Sequence, residues 1–142
     1  MNKFTELLQK EYELLKQMLT LAEEQQTALI RYDIGAIERT TLKLNEVTRE
    51  MKQCEDERIN FLIKELKLNR REALTAKLTD ISKKIDIPAT LLEKREEIAN
   101  AIERLANVSS LNRLLINRAL ISINEILSTL SNPQNSVCNV RI

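Results

Sequence analysis

The stretch LANVSSLNRLLINRALISINEILSTLSNPQNSVCNV, residues 105–140, decides the reading of this chain. Only Arg113, Arg118 and Glu125 carry charge in it, within a protein that is 30% charged. Its apolar residues keep helical spacing but outnumber what one packed helix face can hide. At 100° per residue, Val108, Leu111, Leu115, Ala119, Ile126 and Leu130 form one stripe, and Ile116, Leu120, Ile123 and Leu127 widen it to about half the circumference. Leu114 and Ile121 lie on the far side. Surplus apolar surface on a weakly charged helix calls for a cover, so function is sought at this end.

Outward from there, the composition describes an all-α protein. Its 142 residues are about one domain's worth. With 43% hydrophobic and 3% aromatic residues, one Gly and two Pro, the chain has material for a core but little for strands or tight turns. A first helix is expected from about Lys3 to Arg31, with Phe4, Leu8, Leu15, Leu19, Ala22 and Leu29 at its centre. Asp33 is the expected N-cap of a second helix after a break containing Gly35, the only glycine. So short a turn folds the second helix back antiparallel. That helix is expected to reach about Leu68, with Ile37, Leu44, Met51, Cys54, Phe61 and Leu62 in a heptad-like rhythm interrupted by Arg58 and Glu65. Arg58 reads as an arginine snorkelling at the bundle edge rather than as a recognition residue.

Asn69 with Glu72 resembles a capping box and opens a shorter helix to about Ile85, its Leu74, Leu78 and Ile81 on one side. Pro88 suits the first turn of the next helix, and Thr90 with Glu93 offers another start. From there no Gly or Pro occurs before Pro133, so a last helix of more than 40 residues, about 60 Å, is expected to pack on the hairpin and project beyond it. Asn112, Asn117 and Asn124 either fix its packing register or line its wet side. The expected architecture is an elongated antiparallel helical bundle, or coiled-coil hairpin, with a long C-terminal helix. Residues 1–131 form its single domain and residues 132–142 a flexible tail.

The chemistry of the side chains excludes several classes of function. There is no His, so the commonest general base and metal ligand is missing, as are the Glu-x-x-His pairs of a di-iron bundle. One glycine cannot build a phosphate loop. The runs Glu23/Glu24, Glu55/Asp56/Glu57 and Glu96/Glu97 read as solvated helix surface. No enzyme, cofactor or metal is expected. A net charge of +1 gives no field for nucleic acid, and no apolar run reaches the roughly 20 residues of a membrane span. No signal peptide is read at the N-terminus. Two scattered cysteines, Cys54 and Cys138, fit a reducing cytoplasm.

The order of elements resembles the FlgN-type flagellar export chaperones: a long first helix, a return helix with a Glu-x-x-Arg-like segment from Glu55 to Arg58, and a long last helix. Leu111-Asn112-Arg113-Leu114-Leu115-Ile116-Asn117-Arg118-Ala119-Leu120-Ile121-Ser122-Ile123-Asn124 is similar to that family's LN-x-x-L-I-x-x-x-L-x-x-I-N signature. The resemblance implies a cytoplasmic chaperone that does not use ATP. It would bind hook-associated (hook–filament junction) proteins near their C-termini and deliver them to the cytoplasmic domain of the flagellar export gate. It carries a client-binding role to Leu111, Leu114, Leu115, Leu120, Ile121 and Ile123, and the helical projection adds Ile116 and Leu127. Family members can meet the gate through a C-terminal aromatic residue, whereas the last Tyr here is Tyr32, so gate docking has no residue assigned. Four large aliphatic side chains buried by a client helix would contribute about 6–12 kcal/mol gross, against about 2–5 kcal/mol for ordering the client. The alternatives are a bundle subunit that self-associates, a homo-oligomer when client-free, and an adaptor that sequesters another protein.

Overall fold

The computed structural model describes residues 2–131; the tail expected at 132–142 lies outside the described residues. Six helices follow one another: α1 (Lys3–Arg31), α2 (Ile34–Glu65), α3 (Arg70–Thr75), α4 (Leu78–Ile81), α5 (Ala89–Glu93) and α6 (Arg95–Ser131). The all-α expectation holds, and no strand occurs among the described residues.

Local signals set most boundaries. The Asn2 side chain accepts from Thr5 N–H to start α1. The Asp33 carboxylate accepts from Ala36 N–H to start α2. Between them the left-handed residue is Tyr32, at φ 55°, rather than Gly35, which lies in the first turn of α2. Tyr32 N–H reaches back to the Leu29 carbonyl and Asp33 N–H to that of Ala28, closing α1 with a hydrogen-bonded turn. The capping box at Asn69 is complete: its side chain accepts from Glu72 N–H, and Glu72 accepts from Asn69 N–H.

Three boundaries depart from expectation. The second helix stops at Glu65, not Leu68, because Lys67 turns to φ 54° and lets Leu66 and Leu68 both pack on the basal core. The single helix expected from Asn69 to Ile85 is broken into α3 and α4 at extended Ala76. One straight helix presents one stripe, yet Ala73, Ala76, Leu78, Ile81, Ile85, Ile87 and Leu91 all reach the cluster around Phe4, Ile59 and Leu62. The chain therefore wraps that cluster, leaving Leu74 exposed. Finally, Pro88 caps α5 without a side-chain hydrogen bond, Thr90 and Glu93 form no capping box, and a break at Lys94 shortens the last helix to 37 residues, about 55 Å.

Helix α1 is central. Its Leu7 and Leu14 pack with Cys54 of α2, and the ion pairs Lys3–Glu57 and Glu11–Arg58 run between the same two antiparallel helices. On its other side α1 packs along α6, whereas α2 and α6 hardly touch each other. Tyr12 donates to Glu97, Glu23 pairs with Arg104, and Ala22 and Gln25 accept from Asn112, so α6 runs parallel to α1. At the offset set by Asn112, the end of α1 at Arg31 falls beside about residue 118–121 of α6. The last dozen residues of α6, about 18 Å, therefore extend past the hairpin turn, as the length of that helix led one to expect.

Candidate functional site

Two faces of α6 have different fates. Asn112 points at α1 and is only 2% exposed. Ala101, Val108, Leu115 and Ala119 are half-buried at heptad spacing around it. These side chains are mostly small, which lets the helices approach closely. The adjacent face carries Ile116, Leu120, Ile123 and Leu127. Ile116 is half-buried beside the hairpin, while Leu120, Ile123 and Leu127 are more than half exposed, Ile123 at 51%. Leu111, Leu114 and Ile121 are exposed as well. From Leu120 to Ser131 every residue except half-buried Thr129 faces solvent. The aliphatic groups of the expected site are thus not sealed inside the bundle. Leu115 is the one that turns toward the hairpin, with Ile116 at the boundary.

A chain of buried amides holds α6 in this register. Asn112 Nδ2 donates to the Ala22 carbonyl at 2.8 Å and to Gln25 Oε1 at 3.1 Å, and Gln25 Nε2 donates to Thr41 Oγ1 at 2.9 Å. One residue from each long helix is joined, so sliding α6 by a turn would break the chain and bury its amides unpaired. Of the two roles open to the asparagines, Asn112 takes the register role, while Asn117 and Asn124 are exposed. Gln25 and Tyr12 were not expected in the core. Their burial follows from α1 having two packed faces, which a one-stripe reading of its sequence does not show.

Near the base, Tyr12 is buried under two cations, Lys16 Nζ at 4.3 Å and Lys94 Nζ at 5.1 Å from its ring centre, while its hydroxyl donates to Glu97. Glu97 is thus more than solvated surface. Arg58 also does more than snorkel: its Nε donates to Glu11 Oε2 at 2.7 Å. Burial pushes the Glu11 carboxyl above its usual pKa, outweighing the opposite pull of Arg58. Burial, with help from the Glu11 charge, also raises the Cys54 thiol, whose Sγ lies 3.4 Å from the Leu7 carbonyl. A neutral, enclosed thiol of this kind is a packing residue.

Beside this ion pair lies a groove of about 420 Å³ floored by α1 and walled by α2 and α6. At the opposite end, Ile30, Tyr32 and Ile34 make the hairpin tip apolar, with Tyr32 80% exposed. Neither feature was read from the sequence. The tip follows from a bulky residue taking the left-handed position. No three His, Cys, Asp or Glu side chains gather as metal ligands among the described residues, and no helix there is long and apolar enough to cross a membrane.

Comparison with known families places the whole bundle. The FlgN protein family matches residues 1–139, nearly the full chain, and the chain belongs to that family. Its members are chaperones for flagellum assembly rather than known enzymes. No curated protein and no solved structure matches the chain.

Proposed function

We propose that this FlgN-family chaperone works in the cytoplasm, holding hook-associated proteins by a helical segment near their C-termini and delivering them to the flagellar export gate. The client seats on the apolar surface of α6 made by Leu120, Ile123 and Leu127 with Ile116 at its edge, and Leu111, Leu114 and Ile121 extend it around the other faces of the helix, while Leu115 packs toward the hairpin and supports it. The observation that carries the reading is the exposure of this surface along a helix that outruns its own hairpin. An α-helix with so many bare aliphatic groups recognises an amphipathic partner by apolar complementarity rather than by charge.

The geometry adjusts the energetics. Because Leu120, Ile123 and Leu127 are already about half covered by their own helix, each gains about 0.8–1.5 kcal/mol on docking, half the value for full burial. The client's own apolar face gains a comparable amount, for a gross total of roughly 5–9 kcal/mol before an ordering cost of about 2–5 kcal/mol. At most about 7 kcal/mol remains, so these three side chains alone support affinity no tighter than about ten micromolar, weak enough to release a client. Ile123→Asp is expected to lower affinity for a purified hook-associated protein about tenfold or more in calorimetry, with unchanged far-UV circular dichroism. An unchanged affinity removes this stripe from the interface.

A further inference from the structure

The exposed stripe of α6 does not stop where the hairpin begins. Residues eighteen apart occupy the same angle around an α-helix, after five turns. Ile116, Leu120 and Ile123 stand eighteen residues beyond Ile98, Ile102 and Leu105, and those three form the α6 wall of the groove beside Glu11 and Arg58. The same face thus carries two apolar patches, Ile98–Leu105 and Ile116–Leu127, joined across Ser109 over a total of about 44 Å. Ile102 within it is 55% exposed despite lying between two long helices. It is bare because α2 and α6 flank α1 without closing on each other. That leaves the place of a fourth helix empty, with Met18 on its floor and Met51 on the α2 wall as adaptable side chains.

The charges around this face narrow the occupant. Glu11 and Arg58 satisfy each other. Glu55 on the α2 wall and Arg113 at the outer margin of the stripe have no ion-pair partner among the described residues. A second copy of α6 laid antiparallel, with Leu127 against Ile98, would place its two-fold axis beside Arg113 and set the two arginines together. Like charges there oppose such a dimer. A partner helix with a basic residue at one end and an acidic residue farther along meets both charges.

We propose that groove and stripe are one docking surface for a single amphipathic helix of the client. Its apolar face turns inward, a Lys or Arg lies near Glu55, and an Asp or Glu lies near Arg113. This rests on the client-binding reading above and extends it: the client completes a four-helix bundle with α1, α2 and α6 before following α6 beyond the hairpin. Full-length protein carrying ¹³C-methyl methionine, titrated with a purified hook-associated protein, tests it together with calorimetry of Ile102→Asp, Ile123→Asp and Glu55→Lys. The Met18 and Met51 methyl signals are expected to shift on client addition, and Ile102→Asp is expected to weaken binding about tenfold. Glu55→Lys is expected to weaken it several-fold, by an amount that shrinks in high salt. If Ile123→Asp weakens binding while Ile102→Asp and the methionine signals do not respond, the groove is not used and only the projecting end binds. If neither aspartate variant has an effect, the client-binding reading fails with it. Methionine shifts that follow protein concentration alone, with a doubled mass in sedimentation, assign the groove to a second copy and overturn the proposal. Should Ile102→Asp not fold, the methionine signals of the unaltered protein decide.

Discussion

Asn112 and Gln25 should be energetically coupled, because the amide chain they share is what sets α6 against the hairpin. Asn112→Ala removes two hydrogen bonds, to the Ala22 carbonyl and to Gln25 Oε1, each worth about 0.5–1.5 kcal/mol at a buried site. Two terms offset part of this loss. Asn112 Oδ1 is itself buried without a partner, so truncation relieves an unmet acceptor. Alanine also favours helix over asparagine by roughly half a kcal/mol. The net destabilisation is then about 1–2 kcal/mol. Gln25→Ala removes the same Asn112 contact and the bond to Thr41. In a double-mutant cycle followed by urea unfolding, the two changes should fall short of additivity by about 0.5–1.5 kcal/mol. Native-state hydrogen exchange adds a local reading: amides of α6 between Val108 and Ala119 should lose protection in Asn112→Ala before those of α2. A coupling below about 0.3 kcal/mol, or equal loss of protection in all three helices, would refute the view that this chain of amides pins α6.

Two further outcomes follow from the turn and from the buried ion pair. Gly35 lies in the first turn of α2 without a positive φ, and an added Cβ would meet the flexible end of Arg39 at 3.2 Å and the Asp33 carboxylate at an ordinary contact distance of 3.8 Å. Gly35→Ala should therefore raise stability by about 0.5–1 kcal/mol in thermal or urea unfolding, and a loss of stability would show that the turn needs glycine after all. Glu11 binds its proton more tightly when folded than its usual pKa of 4.5 implies, so its contribution to stability falls as pH rises through 4.5 and on through the raised value. The stability of the unaltered protein relative to Glu11→Gln should accordingly decline as pH rises above 4.5. A rise over that window would mean that Arg58, not burial, governs this carboxyl.

The elements whose signals are local were legible in the sequence. The bounds of α1, the Asp33 cap, the Asn69–Glu72 capping box and a long, weakly charged last helix all follow from residues within a few positions of one another. The same holds for the surplus of apolar groups from Leu111 to Leu130, since periodicity alone shows that one core cannot use them all. Periodicity shows how many faces a helix could bury but not what lies against each. Whether the stripe through Leu115 or the one through Leu120 meets α1 depends on contacts between residues some 85–90 positions apart, such as Tyr12 with Glu97 and Ala22 with Asn112. The burial of Tyr12 and Gln25 and the open groove beside Glu11 were decided at that level. So was the point where α6 leaves the hairpin, because each depends on a register that no single helix carries within itself.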